Sequence, residues 1–199
     1  MDGASVLKLV LIAGGPCSGK TSIVSRLAEW LRNEGYSVYV IRDWAREIIR
    51  REKPKGDKGI LPWTDRAGFE REVAKEYLRE YKRLFDNPLV EYDIVLEDSG
   101  GFATKAYCQV DDVDIPREFY ELMRYHDRVS LVILLDFPRS YHIDSERWEE
   151  LEYARRIHEE IVELHKEIFR DKVYMIEYMD DIDAKAKEVY RLIKEKLGL

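Results

Sequence analysis

The chain has 199 residues, 45% of them hydrophobic, and carries 33 Lys and Arg against 40 Asp and Glu, for a net charge of −7. That length suffices for one α/β domain over residues 1–199, and no linker-like stretch divides it. Acidic and basic residues interleave, which argues against a nucleic-acid surface, while Cys17 and Cys108, without metal-ligand spacing or a disulfide framework, fit a reducing cytoplasm.

The first apolar run, Val6–Ala13, follows Met-Asp-Gly rather than a basic segment and is too short for a membrane span, so it reads as a core strand. It leads directly into Gly14-Gly15-Pro16-Cys17-Ser18-Gly19-Lys20-Thr21, which has the form G-x-x-x-x-G-K-T, and Ser22 opens a helix-compatible stretch. Glycines in such a turn let successive N–H groups point inward at an anion, and the following helix adds the positive end of its dipole. Lys20 is expected to reach the β- and γ-phosphates, and Thr21 to hold Mg²⁺ through its hydroxyl. The expected nucleotide-binding set is therefore Gly14, Gly15, Pro16, Cys17, Ser18, Gly19, Lys20, Thr21 and Ser22.

The second run, Val38–Ile41, is followed by Asp43-Trp44-Ala45-Arg46. Asp43 is placed to accept or orient the proton of an incoming hydroxyl, with Arg46 one turn later binding an anionic group, although Asp also suits a helix N-cap. The stretch Lys53–Asp65, with Pro54, Gly56, Gly59 and Pro62, reads as a mobile loop beside the site, ending in a capping Asp65. Phe69, Val73, Tyr77 and Leu84 then recur at helical spacing.

The third run, Tyr92–Leu96, ends in Glu97 and Asp98. A carboxylate at a strand end beside the phosphate loop is the pattern that holds Mg²⁺, and Asp98 is the preferred acid, although Asp-Ser-Gly-Gly is also good turn chemistry. The fourth run, Val129–Leu135, precedes a lid of about residues 137–147 in which Arg139 and Arg147 are expected to meet the charge of a transferring phosphoryl. Trp148, Leu151, Ala154, Ile157, Ile161, Leu164 and Ile168 mark a long helix. Val173–Ile176 makes the fifth strand, and Asp181 caps a last helix carrying Ile182, Ala186, Val189 and Ile193. Trp44, Trp63, Phe102 and Tyr107 are aromatic candidates for base stacking near the site loops. His126, His142, His158 and His165 form no metal pattern.

Short, nearly continuous apolar runs alternating with helices imply a three-layer, doubly wound parallel five-stranded sheet with helices on both faces and a lid, the P-loop NTPase arrangement. Its ligands gather at the carboxyl ends of the strands.

The chain also resembles the NadR-type AAA family, the ribosylnicotinamide-kinase-like branch of P-loop kinases that includes TRP-channel translocation-defect proteins. The resemblance covers most of the chain. It rests on Gly14 to Thr21, Ala45-Arg46-Glu47-Ile48-Ile49, Pro62-Trp63 followed by Phe69, Tyr92-Asp93-Ile94-Val95 with Asp98, Ala106-Tyr107, and Asp144-Ser145-Glu146-Arg147. It implies an ATP- or GTP-dependent kinase fold acting on small nucleoside-like molecules. The family pattern has Glu where Asp43 stands, Asp-Arg-Gly where this chain has Asp98-Ser99-Gly100, and often Asp at Ala103. The lost arginine and acid bear on the acceptor half of the site rather than the nucleotide half.

These readings converge on a cytoplasmic, Mg²⁺-dependent kinase that transfers the γ-phosphoryl of ATP or GTP to a small nucleoside-like acceptor. The expected catalytic residues are Lys20, Asp43, Asp98 and Arg147, with Asp43, Arg46, Trp63 and Tyr107 binding substrate and Thr21 and Asp98 the metal. The alternative is a switch that hydrolyses ATP or GTP and acts through a protein partner. A homodimer is left open, and no membrane association is expected.

Overall fold

Of the five apolar runs, three form strands with the expected bounds, the first forms a strand that ends as expected at Ala13, and the third is shifted two residues along the chain. The computed structural model describes residues 7–87, 91–98, 100–139 and 150–199. Its strands are β1 (Lys8–Ala13), β2 (Val38–Ile41), β3 (Ile94–Asp98), β4 (Val129–Leu135) and β5 (Val173–Ile176). All pair in parallel, in the order β2-β3-β1-β4-β5.

The reversal of strand order beside β1 is what creates a crevice at the carboxyl edge, since the connections from β1 and β3 leave in opposite directions. The central strands are sealed on both faces, as their unbroken apolarity requires; Leu9 to Ala13 and Val132 to Leu135 have no exposed surface.

Seven α-helices are assigned among the described residues: α1 (Lys20–Asn33), α2 (Trp44–Glu52), α3 (Arg66–Phe85), α4 (Ala103–Val110), α5 (Arg117–Leu122), α6 (Leu151–Phe169) and α7 (Ile182–Leu197). Helices α1 and α7 cover the sheet face that presents Val10, Ile12, Leu96 and Ile133. Helices α3, α4 and α6 cover the other, where Leu9, Leu11, Val95 and Val132 point. Both expected caps form: Asp65 accepts from Gly68 N, and Asp181 from Asp183 N and Ala184 N.

Strand β3 runs two residues further than its apolar stretch, because pairing with β1 continues through Glu97 opposite Leu11 and Asp98 opposite Ile12. Tyr92 falls outside the strand and packs on Tyr39, with ring centroids 5.1 Å apart. The Lys53–Asp65 stretch, read from the sequence as a loop, has local structure of its own, although most of its residues are exposed. It begins as a 3-10 helix over Lys53–Lys58 and is anchored by Leu61, 2% exposed. Buried Glu52 ties it down, taking hydrogen bonds from Lys55 Nζ (2.7 Å) and Ile60 N (3.4 Å). Residues 140–149, which take in most of the expected lid with Arg147, and Ser99 lie outside the described residues. Among the described residues no helix is long and apolar enough to cross a membrane.

Candidate functional site

Where β1 ends, the chain turns through Gly14 at φ +141°, Cys17 at +64° and Gly19 at +91° before entering α1. Gly14 and its neighbour Gly15 leave no room for a side chain. A Cβ on Gly14 would stand 2.7 Å from Leu135 O, and one on Gly15 would stand 2.6 Å from the Cβ of His158. Helix α1 has no side-chain cap and no acid in its first turn, so its first amides and its dipole face the loop. Lys20 lies back over the turn, donating to Gly14 O (2.9 Å) and Gly15 O (2.8 Å).

His158, on α6, supports the loop from beneath. Gly15 N donates to its Nδ1 at 3.1 Å, which requires that nitrogen to be unprotonated. Burial and the nearby Lys20 hold the imidazole pKa below its ordinary value, against the pull of Asp136 and Glu159. Metal-ligand spacing does not mark this histidine in the sequence, because its role is a backbone contact.

The loop and the start of α1 form one wall of a cavity of about 290 Å³; Asp43, Ala45, Arg46 and Ile49 around α2, with residues of α3 and α4, form the others. Lys20, Thr21, Asp43, Arg46 and Tyr107 all line it, as do Pro16, Cys17, Gly19 and Ser22. Asp98 stands just behind, 3% exposed. Its carboxyl takes a hydrogen bond from Thr21, and its Oδ1 is buried without a hydrogen-bond partner. Burial and the neighbouring Asp43 raise its pKa, while Thr21, Lys20 and Arg46 oppose that shift.

Strand alternation separates the two acids at the end of β3. Asp98 shares the α1 face of the sheet, whereas Glu97 turns to the α3 face, accepting from Tyr81 Oη (2.5 Å) and Gly101 N (2.7 Å). Glu97 has no exposed surface, and burial lifts its pKa to about 7. A carboxyl that binds its proton more tightly when folded favours the folded state at low pH, and that contribution is lost as pH rises from about 4.5 through about 7. The stability advantage of wild type over Glu97→Gln should therefore shrink between pH 5 and pH 8 in urea unfolding. An advantage that grows over that range would reverse the assigned shift.

Asp43 caps α2, accepting from Arg46 N at 3.3 Å, and its Oδ2 lies 3.4 Å from Arg46 Nε. Tyr77, buried on α3, ties the neighbouring chain ends together: its hydroxyl donates to Asp98 O (3.0 Å) and accepts from Trp44 N (3.5 Å). The carboxylate thus sits in the cavity wall whether or not it also caps. Trp63 is not among the lining residues. Thr64 Oγ1 bonds Gly59 O and accepts from Leu61 N, closing a turn that leaves Trp63 46% exposed. Phe102 is wholly core, edge-on to Phe169 with centroids 5.0 Å apart, and is unavailable for stacking on a base. Arg139 stands over the ring of Tyr178 at 5.0 Å.

The inner end of the cavity is built from residues that the sequence reading did not single out. Arg66 and Glu70, one turn apart on α3, face each other at 3.5 Å, and Arg66 also pairs with Asp111. Arg66 donates to Tyr153 Oη (2.9 Å), which donates to Asp111 Oδ2 (2.8 Å). Burial raises the Glu70 pKa to about 7 although Arg66 pulls it down. Thr104, 2% exposed, lines the same end beside Tyr107.

A protein-family model described as an AAA domain matches residues 9–190. A probable thymidylate kinase of Thermococcus kodakarensis is 25% identical over 205 residues, covering 95% of this chain and 98% of the relative. A probable adenylyl-sulfate kinase of Aeropyrum pernix is 40% identical over 77 residues, 38% of this chain and 33% of its own length. Among solved structures, NadR protein in complex with NR superposes with a TM-score of 0.66 at 22% identity, covering 98% of this chain. The chain spans 52% of the length of that NadR protein. Thymidylate kinase from Ehrlichia chaffeensis gives a TM-score of 0.63 at 18% identity, covering 94% of this chain and 98% of that one. At these identities the solved structures establish the P-loop kinase fold.

Proposed function

We propose, from the premise that the chain belongs to the AAA-domain family and is a P-loop phosphotransferase or NTPase, that it transfers the γ-phosphoryl of ATP or GTP to a small nucleoside-like acceptor. The observation that carries the proposal is the shared cavity: a phosphate loop with Lys20 and Thr21 opens into the same space as Asp43 and an enclosed second end. A hydrolytic switch needs room for water beside the triphosphate, whereas this cavity continues past Asp43 to a built pocket of polar and aromatic side chains.

Loop amides and Lys20 bind the β- and γ-phosphates, and Arg46 adds positive charge at the mouth between donor and acceptor. Asp43 orients the acceptor hydroxyl and takes its proton, which suits a reaction whose catalysis is mostly positioning and charge neutralisation. Arg147 is the proposed lid cation. Cys17 and Cys108 are not joined by a disulfide, which is consistent with a reducing, cytoplasmic setting.

Thr21 and Asp98 fit Mg²⁺: they are hard oxygen donors, and Asp98 Oδ1 is buried with no hydrogen bond to satisfy it. The ion, when bound, supplies neutralisation of the phosphate oxygens. Asp98→Asn should lower the apparent Mg²⁺ affinity of the nucleotide complex by about 10–100-fold, the range for losing a charged partner of a metal site. Calorimetry with ATP in Mg²⁺ and in EDTA would register the loss only in the first. An equal loss in both would take Asp98 out of the metal site.

The deciding experiment is a panel of nucleosides and nucleotides with Mg·ATP and Mg·GTP, in which phosphorylated product and free phosphate are scored separately. Phosphorylated product supports the kinase. Free phosphate alone across the panel would instead favour the switch.

A further inference from the structure

The hydroxyl of Thr104 is buried at the inner end of the cavity and has no hydrogen-bond partner among the described residues. Such a group is costly to keep, and a partner supplied by a ligand would explain it. Glu70, 2% exposed, lines the same end from α3. Arg66 is the cation there, but Glu70 at 3.5 Å and Asp111 both face it, so two carboxyls oppose one guanidinium. A phosphate, sulfate or carboxylate would therefore find no uncompensated positive charge on Arg66 at this end. Phe69, Val73, Tyr77 and Tyr107 wall the space with flat or branched apolar surface, which suits a planar ring.

We infer that Thr104 and Glu70 select the acceptor, holding an uncharged heterocycle by an edge that carries a carbonyl beside an N–H. Thr104 Oγ1 donates to the carbonyl, and Glu70 accepts from the N–H. The inference rests on the reading that the acceptor enters this end of the cavity, with its hydroxyl near Asp43 and its ring inward. A site built to bond an N–H rejects an analogue lacking it more strongly than an apolar slot could, because its own buried groups are then left unpaired.

Calorimetry at pH 8 with uridine, inosine, 3-methyluridine, 1-methylinosine and ribose tests the inference without relying on turnover. Wild type should bind uridine or inosine about tenfold or more tightly than its N-methyl counterpart and ribose, and Thr104→Val, which removes the donor to the carbonyl, should cut the ratio to ribose to about a third or less. Valine matches threonine in shape and adds no charge, so it carries the decision; Glu70→Gln, which also touches Arg66, is the second variant, checked by its melting temperature. Equal binding of methylated and unmethylated nucleosides, or a ratio of nucleoside to ribose that Thr104→Val leaves unchanged, would overturn the inference. Phosphoryl transfer to an acceptor without such an edge would overturn it while sparing the kinase. Selective binding with no transfer from either triphosphate would spare the inference and remove the kinase.

Discussion

Replacing Lys20 by alanine is expected to lower phosphoryl transfer by about 10²–10³, the usual loss when one preorganised cationic or hydrogen-bonding group is taken from a developing anion. Triphosphate affinity should fall with it. The fold should survive, because the ammonium bonds to the carbonyls of Gly14 and Gly15 and, at 3.5 Å, to Ser18 Oγ in a part-buried setting that water can enter. Hydrogen bonds from a charged group contribute about 1.5–3 kcal/mol each, and less where water replaces them. The contacts also show what binding must do: the lysine exchanges two loop carbonyls for phosphate oxygens, while α1 keeps its uncapped amides for the same ligand. Calorimetry with Mg·ATP and Mg·GTP, beside a thermal melt, checks both halves. An alanine variant with normal affinity and turnover would show that this loop is not the phosphate site.

The parts of this molecule that were legible in the sequence are those where one physical constraint dominates. Strand β4 carries its own bounds because burial on both faces demands unbroken apolarity, the half-buried edge strands β2 and β5 show theirs as short apolar runs, and the phosphate loop is legible because few residues tolerate its backbone. Asp98 against Glu97 needed the strand pairing. Once β3 continues opposite Ile12, the two-residue period places Asp98 with Leu96 on the α1 face and sends Glu97 to α3. Helices α4 and α5 are too short to show a period, which hid Thr104.

Arg66 and Glu70 were hidden for a different reason. An Arg–Glu pair four residues apart is the ordinary signature of a solvated helix face, and only the position of Glu70 next to Phe69 and three before Val73 marks it as inward. His158 carried the same kind of signal, since it follows Ile157 and precedes Ile161 on the buried stripe of α6. A polar residue on an apolar stripe, whatever its metal prospects, was the available clue to the support beneath Gly15 and to the inner end of the cavity.

Asp43→Asn should lower phosphoryl transfer by about 10²–10⁴, the range for a positioned proton acceptor, with nucleotide affinity nearly unchanged. The structure gives Asp43 two other jobs that could imitate such a loss, and asparagine separates them. As the cap of α2 the side chain accepts from Arg46 N, and asparagine caps as well as aspartate, so the melting temperature should hardly move. As a charge, Asp43 raises the pKa of Asp98, and removing it would relax that shift and favour the ionised, metal-binding carboxylate. A variant that lost activity through the metal would show an altered Mg²⁺ requirement, whereas loss of the acceptor's base leaves that requirement in place and depresses turnover at saturating Mg²⁺. Retained slow hydrolysis beside lost transfer is the expected pattern. Full transfer in Asp43→Asn would remove the residue from the chemistry and leave it as a helix cap that happens to line the cavity.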